Sequence, residues 1–241
     1  MQFRDRAEAG RILGGHLKAY RDRADVLVLG LARGGIPVAY EVAKEIRAPL
    51  DVFVVRKLGV PGQEELAMGA IASGGGRVLN ESVIAQLRIP ETIIEEVTRR
   101  EQVELERRER LYRGGRTAYD LKNRTVILVD DGLATGTSMR VAVSAVRQHN
   151  PPRIVVAVPV APIETCEELR GQADDVICAI AAVQFWAVGV WYEKFEQTTD
   201  AEVRNLLEQS QSANKPKDAS SVESEAKAFD PNSPAVRGPA I

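Results

Sequence analysis

The segment Val126 to Met139, VILVDDGLATGTSM, restricts the fold of this chain more than any other. Val126 to Val129 is an unbroken run of β-branched residues and leucine, the pattern of a strand buried on both faces of a parallel sheet. Such a strand ends inside the molecule, at the carboxyl edge where open parallel sheets bind ligands. Asp130 and Asp131 stand at that end, and two adjacent carboxylates suit a pair of vicinal hydroxyls as hydrogen-bond acceptors. Ala134, Thr135, Gly136, Thr137 and Ser138 follow. Gly136 lets the backbone approach an anion, the three hydroxyls can donate, and the free amides of the helix starting there point to the same spot.

Each half of this segment has an ordinary counterpart. An acidic pair after a buried strand also occurs in receiver-type signalling domains, and Gly-Thr-Ser before an amphipathic helix is common capping chemistry. The joined string is neither a Gly-x-Gly-x-x-Gly dinucleotide turn nor a P-loop, since no lysine follows Gly136. It resembles the phosphoribosyl pyrophosphate signature of the type I phosphoribosyltransferases. That resemblance implies that Asp130 and Asp131 hold ribose hydroxyls, while Ala134, Thr135, Gly136, Thr137 and Ser138 cradle the 5′-phosphate.

The rest of the chain reads as alternating helices and strands. Ala9, Ile12, Leu13, Leu17 and Tyr20 recur at helical spacing and predict an amphipathic helix from Arg4 to Arg21. Val26 to Leu31 is a buried strand, a helix runs from Gly34, Gly35 and Pro37 to about Ile46, and Leu50 to Val55 is a second strand. This β, α, β start implies a right-handed parallel crossover. LGVPGQEELAMGAIASGGG, after Lys57, reads as a mobile loop plus a short hairpin. Glu91 to Arg113 is a long helix whose opposite charges pair along a solvated face, as Glu96 can with Arg100 and Glu104 with Arg108. A helix from about Gly136 to Gln148 and a strand from Arg153 to Val158 complete an α/β core spanned by one sheet.

Composition limits the alternatives. With 241 residues, 44% hydrophobic and 27% charged, the chain supports one large domain and an appendage. A net charge of −2 counts against a general nucleic-acid binder. The charged amino end lacks the apolar core of a signal peptide and no run reaches membrane-spanning length, so a cytoplasmic protein is expected. Cys166 and Cys178 are far from His16 and His149 and read as reduced structural thiols without zinc spacing. From Gln209 the sequence turns poor in apolar residues and reads as a disordered tail, with Ala226 to Phe229 a weak candidate partner-binding segment. The expected organisation is a phosphoribosyltransferase domain over 1–208 (core about 24–180, a small hood from the N-terminal helix and about 181–208) and a tail over 209–241.

Two further strand ends carry cations. Ala32-Arg33-Gly34-Gly35 is a turn of small residues before a helix, able to present amides and one guanidinium to an anion. It resembles the family's pyrophosphate loop, which in many members contains a non-proline cis peptide; Ala32–Arg33 is the corresponding bond. Arg56 and Lys57 end the second strand, where adjacent cations need solvent or an anion. They are similar to the Arg-Lys pair before the flexible loop of adenine and orotate phosphoribosyltransferases. The chain is similar as well to uncharacterised predicted phosphoribosyltransferases sharing the Leu-Ala-Arg-Gly-Gly and Val-Arg-Lys-Leu-Gly strings.

On the acceptor side, Trp186-Ala187-Val188-Gly189-Val190-Trp191-Tyr192-Glu193 resembles the late segment of hypoxanthine-guanine phosphoribosyltransferases. By that match Trp186 is a stacking platform and Glu193 an acid near the metal and base. An aromatic face binds any flat base and so names none; packing of Trp186 as a small lid is an equal alternative. The purine enzymes also place a lysine after the preceding strand, whereas Val158-Pro159-Val160-Ala161-Pro162 has none, which counts against a 6-oxopurine acceptor.

Together these resemblances imply Mg²⁺-dependent transfer of the 5-phosphoribosyl group from phosphoribosyl pyrophosphate to a nitrogen acceptor, a nucleobase, by a homo-oligomer. The implied partners are the sugar donor, the acceptor and a second copy in a dimer. Arg33, Arg56 and Lys57 would meet the departing pyrophosphate. The alternative is a non-catalytic regulatory protein that senses the same donor on the same fold, and a weaker one is a hydrolase of the donor.

Overall fold

The computed structural model describes residues 2–214. Most of the expected tail, including Ala226 to Phe229, lies outside the described residues. A five-stranded parallel sheet of β1 (Val26–Leu31), β2 (Leu50–Phe53), β6 (Thr125–Val129), β7 (Arg153–Pro162) and β8 (Asp175–Ala182) has the order β2-β1-β6-β7-β8. Its helices are α1 (Arg6–His16), α2 (Gly35–Ile46), α3 (Glu81–Leu87), α4 (Glu91–Arg113), α5 (Thr137–Arg147), α6 (Ile163–Arg170) and α7 (Asp200–Asn214).

Side-chain alternation along the strands builds two core layers. Val26, Val28, Ile127 and Val129 face the layer with Leu13 and Leu17 of the N-terminal segment, Ile36 and Val42 of α2 and Leu207 of α7. Leu27, Leu29, Val126 and Leu128 face the opposite layer, with Met139 and Val143 of α5 and Leu169 of α6. Both faces of the sheet are covered, which is why the middles of its central strands are apolar.

The single expected sheet is corrected by a second one. β3 (Val55–Val60), β4 (Gln63–Ala72) and β5 (Gly76–Leu79) form a three-stranded antiparallel sheet. The segment expected as a mobile loop plus a short hairpin is therefore mostly strand, with the strand content extending through the part expected as loop. Pro61 and Gly62 occupy only the tight turn between Val60 and Gln63, with Gly62 at φ +79°, while Leu58, Val60 and Met68 are buried beside it. Val55, assigned by sequence to the second strand, starts β3 instead, because Val54 breaks away to pair with Ser73.

Two other expectations change. α7 continues past residue 208 to Asn214, since Val203, Leu207 and Ser210 present one buried stripe and Tyr40 Oη donates to Gln209 Oε1 at 3.3 Å. Cys166 of α6 and Cys178 of β8 are joined in a disulfide rather than being free thiols. Twelve residues apart in sequence, they are brought to a Cα separation of 6.9 Å by the packing of α6 against the sheet edge. No helix among the described residues is long and apolar enough to cross a membrane.

Candidate functional site

The chain leaves β1 toward β2 on one side and reaches β6, on the other side of β1, only after the small sheet and α4. The crevice between the ends of β1 and β6 is thus the topological switch point, where open α/β sheets bind ligands. Two sequence motifs meet there. The peptide Ala32–Arg33 is cis, and the Ala32 amide donates to Phe53 O at 3.0 Å. Gly34 and Gly35 then rest on the β6 end: a Cβ on Gly35 would lie 2.7 Å from Val129 O, and one on Gly34 would overlap Oδ2 of Asp131.

The acidic pair is split by this arrangement. Asp130 lines a cavity of about 330 Å³ together with Lys57, Glu65 and the loop Gly132 to Met139. Asp130 is half-buried, and desolvation of its carboxyl, reinforced by the charge of Asp131, pushes its pKa well above the usual carboxylate range. Asp131 turns toward Gly34 and Arg6. Arg6 Nε donates to Asp131 Oδ2 at 2.8 Å, Tyr192 Oη donates to Asp131 O at 2.5 Å, and burial raises the Asp131 pKa while Arg6 opposes the rise.

The loop that follows is shaped as an anion cradle. Gly136, at φ +68°, caps α5 without a side chain, and the first amides of a helix have no partner within it. Thr135 and Thr137 hydroxyls lie 3.0 Å apart. Leu133 N donates to Val160 O at 3.0 Å, and α6 braces the loop from below. Thr165 Oγ1 donates to Ala134 O at 2.9 Å, while Arg140 donates both to Thr135 O and, at 2.6 Å, to Glu168.

The expected cationic pair does not act on one side. Adjacent residues in β3 face opposite ways, so Lys57 enters the cavity lining whereas Arg56 pairs with Glu101 of α4. Arg33 reaches Asp200 at 3.6 Å, at the start of α7, and Tyr112 Oη donates to the same carboxylate at 2.7 Å. Burial, then that hydrogen bond, pushes the Tyr112 hydroxyl up to about 12.

Trp186 is 89% exposed, so it is not a packed lid. Val188 does touch the signature, since a Cβ on Gly132 would lie 2.7 Å from its Cγ1. Glu193 is exposed, and its amide donates to Phe3 O at 2.8 Å. No group of three His, Cys, Asp or Glu among the described residues could cage a metal. Arg6, Tyr192, Thr165 and Arg140 bear on the site without a local sequence signal: Arg6 lies 125 residues from its partner. A second cavity of about 240 Å³, with Asp51, Arg113 and His149 in its wall, shares no residue with the first.

Comparison with known proteins places the chain in a family. A family model described as "Phosphoribosyl transferase domain" matches residues 6–194. Two Mycobacterium tuberculosis proteins, from two strains and named provisionally as phosphoribosyl transferases, are each 45% identical over 206 residues. The alignment takes in 86% of this chain and 46% of each relative, so the chain spans about half the length of the curated relatives it matches. The crystal structure of the protein TT1426 from Thermus thermophilus is 41% identical, with a TM-score of 0.74, covering 87% of this chain and 99% of that one.

Proposed function

Because the chain belongs to the phosphoribosyl transferase domain family, we propose that it moves the 5-phosphoribosyl group of phosphoribosyl pyrophosphate to a nitrogen acceptor, a nucleobase, releasing pyrophosphate. One observation carries this reading. The Ala32 to Gly35 turn and the Asp130 to Ser138 segment abut at the switch point, so two anion cradles share one acidic pair.

In the proposed reaction the bond from the anomeric carbon to pyrophosphate breaks, its electron pair leaves with pyrophosphate, and a bond to nitrogen forms as that nitrogen gives up its proton to solvent water. The carbon passes through an oxocarbenium-like state, so the protein's task is to meet departing negative charge. Lys57, already in the cavity wall, serves it; Arg33 would first have to exchange Asp200, and Arg56 Glu101, for the anion. Thr135, Gly136, Thr137 and Ser138 hold the 5′-phosphate, and Asp130 and Asp131 hold the ribose hydroxyls. The β3–β4 hairpin covers the reactive carbon and excludes water. Trp186 offers a face for the base.

Asp130, which lines the cavity beside the phosphate loop, would suit Mg²⁺ in the manner usual for that ion, which takes one or two carboxylates, directly or through waters, and relies on substrate phosphates instead of a protein cage. Bound Mg²⁺ would neutralise charge on the leaving pyrophosphate. Glu193, exposed beside the hood, is the proposed further acid on the acceptor side.

Incubation with phosphoribosyl pyrophosphate, Mg²⁺ and a panel of nucleobases, with pyrophosphate release as the readout, tests this. Base-dependent release supports the transferase. No release despite donor binding points to a sensor, and base-independent release to a hydrolase. The Asp131→Asn, Thr135→Ala double variant should lose the activity; unchanged turnover would overturn the assignment. A milder effect is expected at the brace. Thr165→Val keeps the methyl beside Gly136 and removes one hydrogen bond worth about 1 kcal/mol. Calorimetry should show donor binding weakened by about threefold to tenfold, with a small loss of thermal stability.

A further inference from the structure

Arg6 stands in the first turn of α1 and nearly every polar edge of its guanidinium is committed. Nε and Nη2 both reach Oδ2 of Asp131 at 2.8 Å, and Nη1 donates to Glu196 O at 2.7 Å. One face of the group lies over the Phe195 ring, 3.9 Å from its centroid. The two side chains are only 12% and 14% exposed, so this is no screened surface pair. Both contacts converge on Oδ2, which leaves Oδ1 outside the pair. The Asp131 backbone is fixed separately by Tyr192, and Gly34 provides the space its carboxylate fills.

We propose that Arg6 is the positioning residue of the ribose site: it aims Oδ1 of Asp131 at a ribose hydroxyl and ties the segment 192–196, on the acceptor side, to the same carboxylate. This rests on the reading of the site given above. The geometry separates positioning from obstruction. A guanidinium that blocked the carboxylate would span both oxygens, as the fork of arginine readily does; here it takes one. Arg6 acts through Asp131 and through the ring of Phe195, and touches neither reacting atom.

The test is calorimetric titration of the full chain with phosphoribosyl pyrophosphate and Mg²⁺, for the wild type, Arg6→Gln, Arg6→Lys, Asp131→Asn and the Arg6→Gln, Asp131→Asn pair. Arg6→Gln should bind about tenfold more weakly, the scale of a hydrogen-bonded charge. Arg6→Lys, which keeps the charge but not the planar fork, should recover part of the loss. In the Asp131→Asn background Arg6→Gln should have a clearly smaller effect than in the wild type, since its route through the carboxylate is gone, whereas a structural role independent of Asp131 would give the same effect in both backgrounds. Binding by Arg6→Gln within twofold of the wild type, or tighter, overturns the proposal, as does full additivity in the cycle. If Arg6→Gln does not fold, Arg6→Lys decides: binding equal to the wild type overturns it. A wild type that does not bind the sugar overturns the functional reading itself, and the proposal with it.

Discussion

Asp130→Asn should make the free protein more stable at neutral pH and a much weaker binder of phosphoribosyl pyrophosphate. Asp130 is half-buried beside a second carboxylate, and both desolvation of its carboxyl and that neighbour push its pKa well above the ordinary value. A group whose folded pKa is raised binds protons more readily in the folded state. Its favourable contribution is complete below the unfolded value of about 3.9 and is lost as pH rises through the folded one. Asparagine carries no charge to desolvate, and its Oδ1 can still accept from Asp131 N, as the carboxylate does at 2.9 Å. The two proteins should therefore melt alike below about pH 4, with the variant gaining as pH rises, by roughly 1 to 2 kcal/mol or about 2 to 8 °C. Donor affinity should fall about a hundredfold, since charge-assisted bonds to hydroxyls are lost. Melting curves across pH together with calorimetry measure both. A variant that melts lower at neutral pH would show that the carboxylate is well compensated, and retained affinity would remove Asp130 from the ribose site.

Gly34→Ala is the second change expected to have a large effect, for a different reason. Gly34 has φ −58° and ψ −32°, a backbone conformation open to any residue. Glycine is needed there for space alone, because a Cβ would overlap Oδ2 of Asp131. One added methyl must push that carboxylate off Arg6 or move the turn. Overpacking of this kind costs about 1 to 3 kcal/mol, and donor binding should drop by about a hundredfold or more because both cradles lose their common wall. Adding Asp131→Gly to Gly34→Ala should restore part of the thermal midpoint without restoring binding. A Gly34→Ala protein with wild-type affinity would show that the turn and the acidic pair do not constrain each other.

The parts of this molecule legible in sequence are those whose cause is local. Val26–Leu31, Glu91–Arg113 and the end of β6 follow from periodicity within a few residues, and the alternation of elements fixes the parallel sheet. The small sheet is obscured because Gly59, Pro61 and Gly62 read as loop signals, although one turn explains Pro61 and Gly62. The division of Arg56 from Lys57 follows from strand alternation once β3 is recognised as a strand running through both, and is hidden while the pair is taken as the end of the second strand. Arg6 on Asp131, Tyr192 on the same residue and the joining of Cys166 to Cys178 depend on how distant elements dock, for which no spacing in the chain is a sign. Trp186 shows the same limit: its place in the chain is readable, its outward direction is not.

The register of β1 with β6 has a consequence for how the protein is made. Val26 pairs with Thr125, so the central neighbour of β1 is synthesised about a hundred residues after it. At usual elongation rates this leaves one edge of β1 unpaired for about 5 to 20 s on the ribosome. During that interval Leu27, Leu29 and Leu31, later buried in the layer that α5 completes, lack that cover from their own chain. Nascent chains halted before residue 125 should therefore be the species that chaperones hold and that aggregates form from. Chains halted well beyond α5 should not.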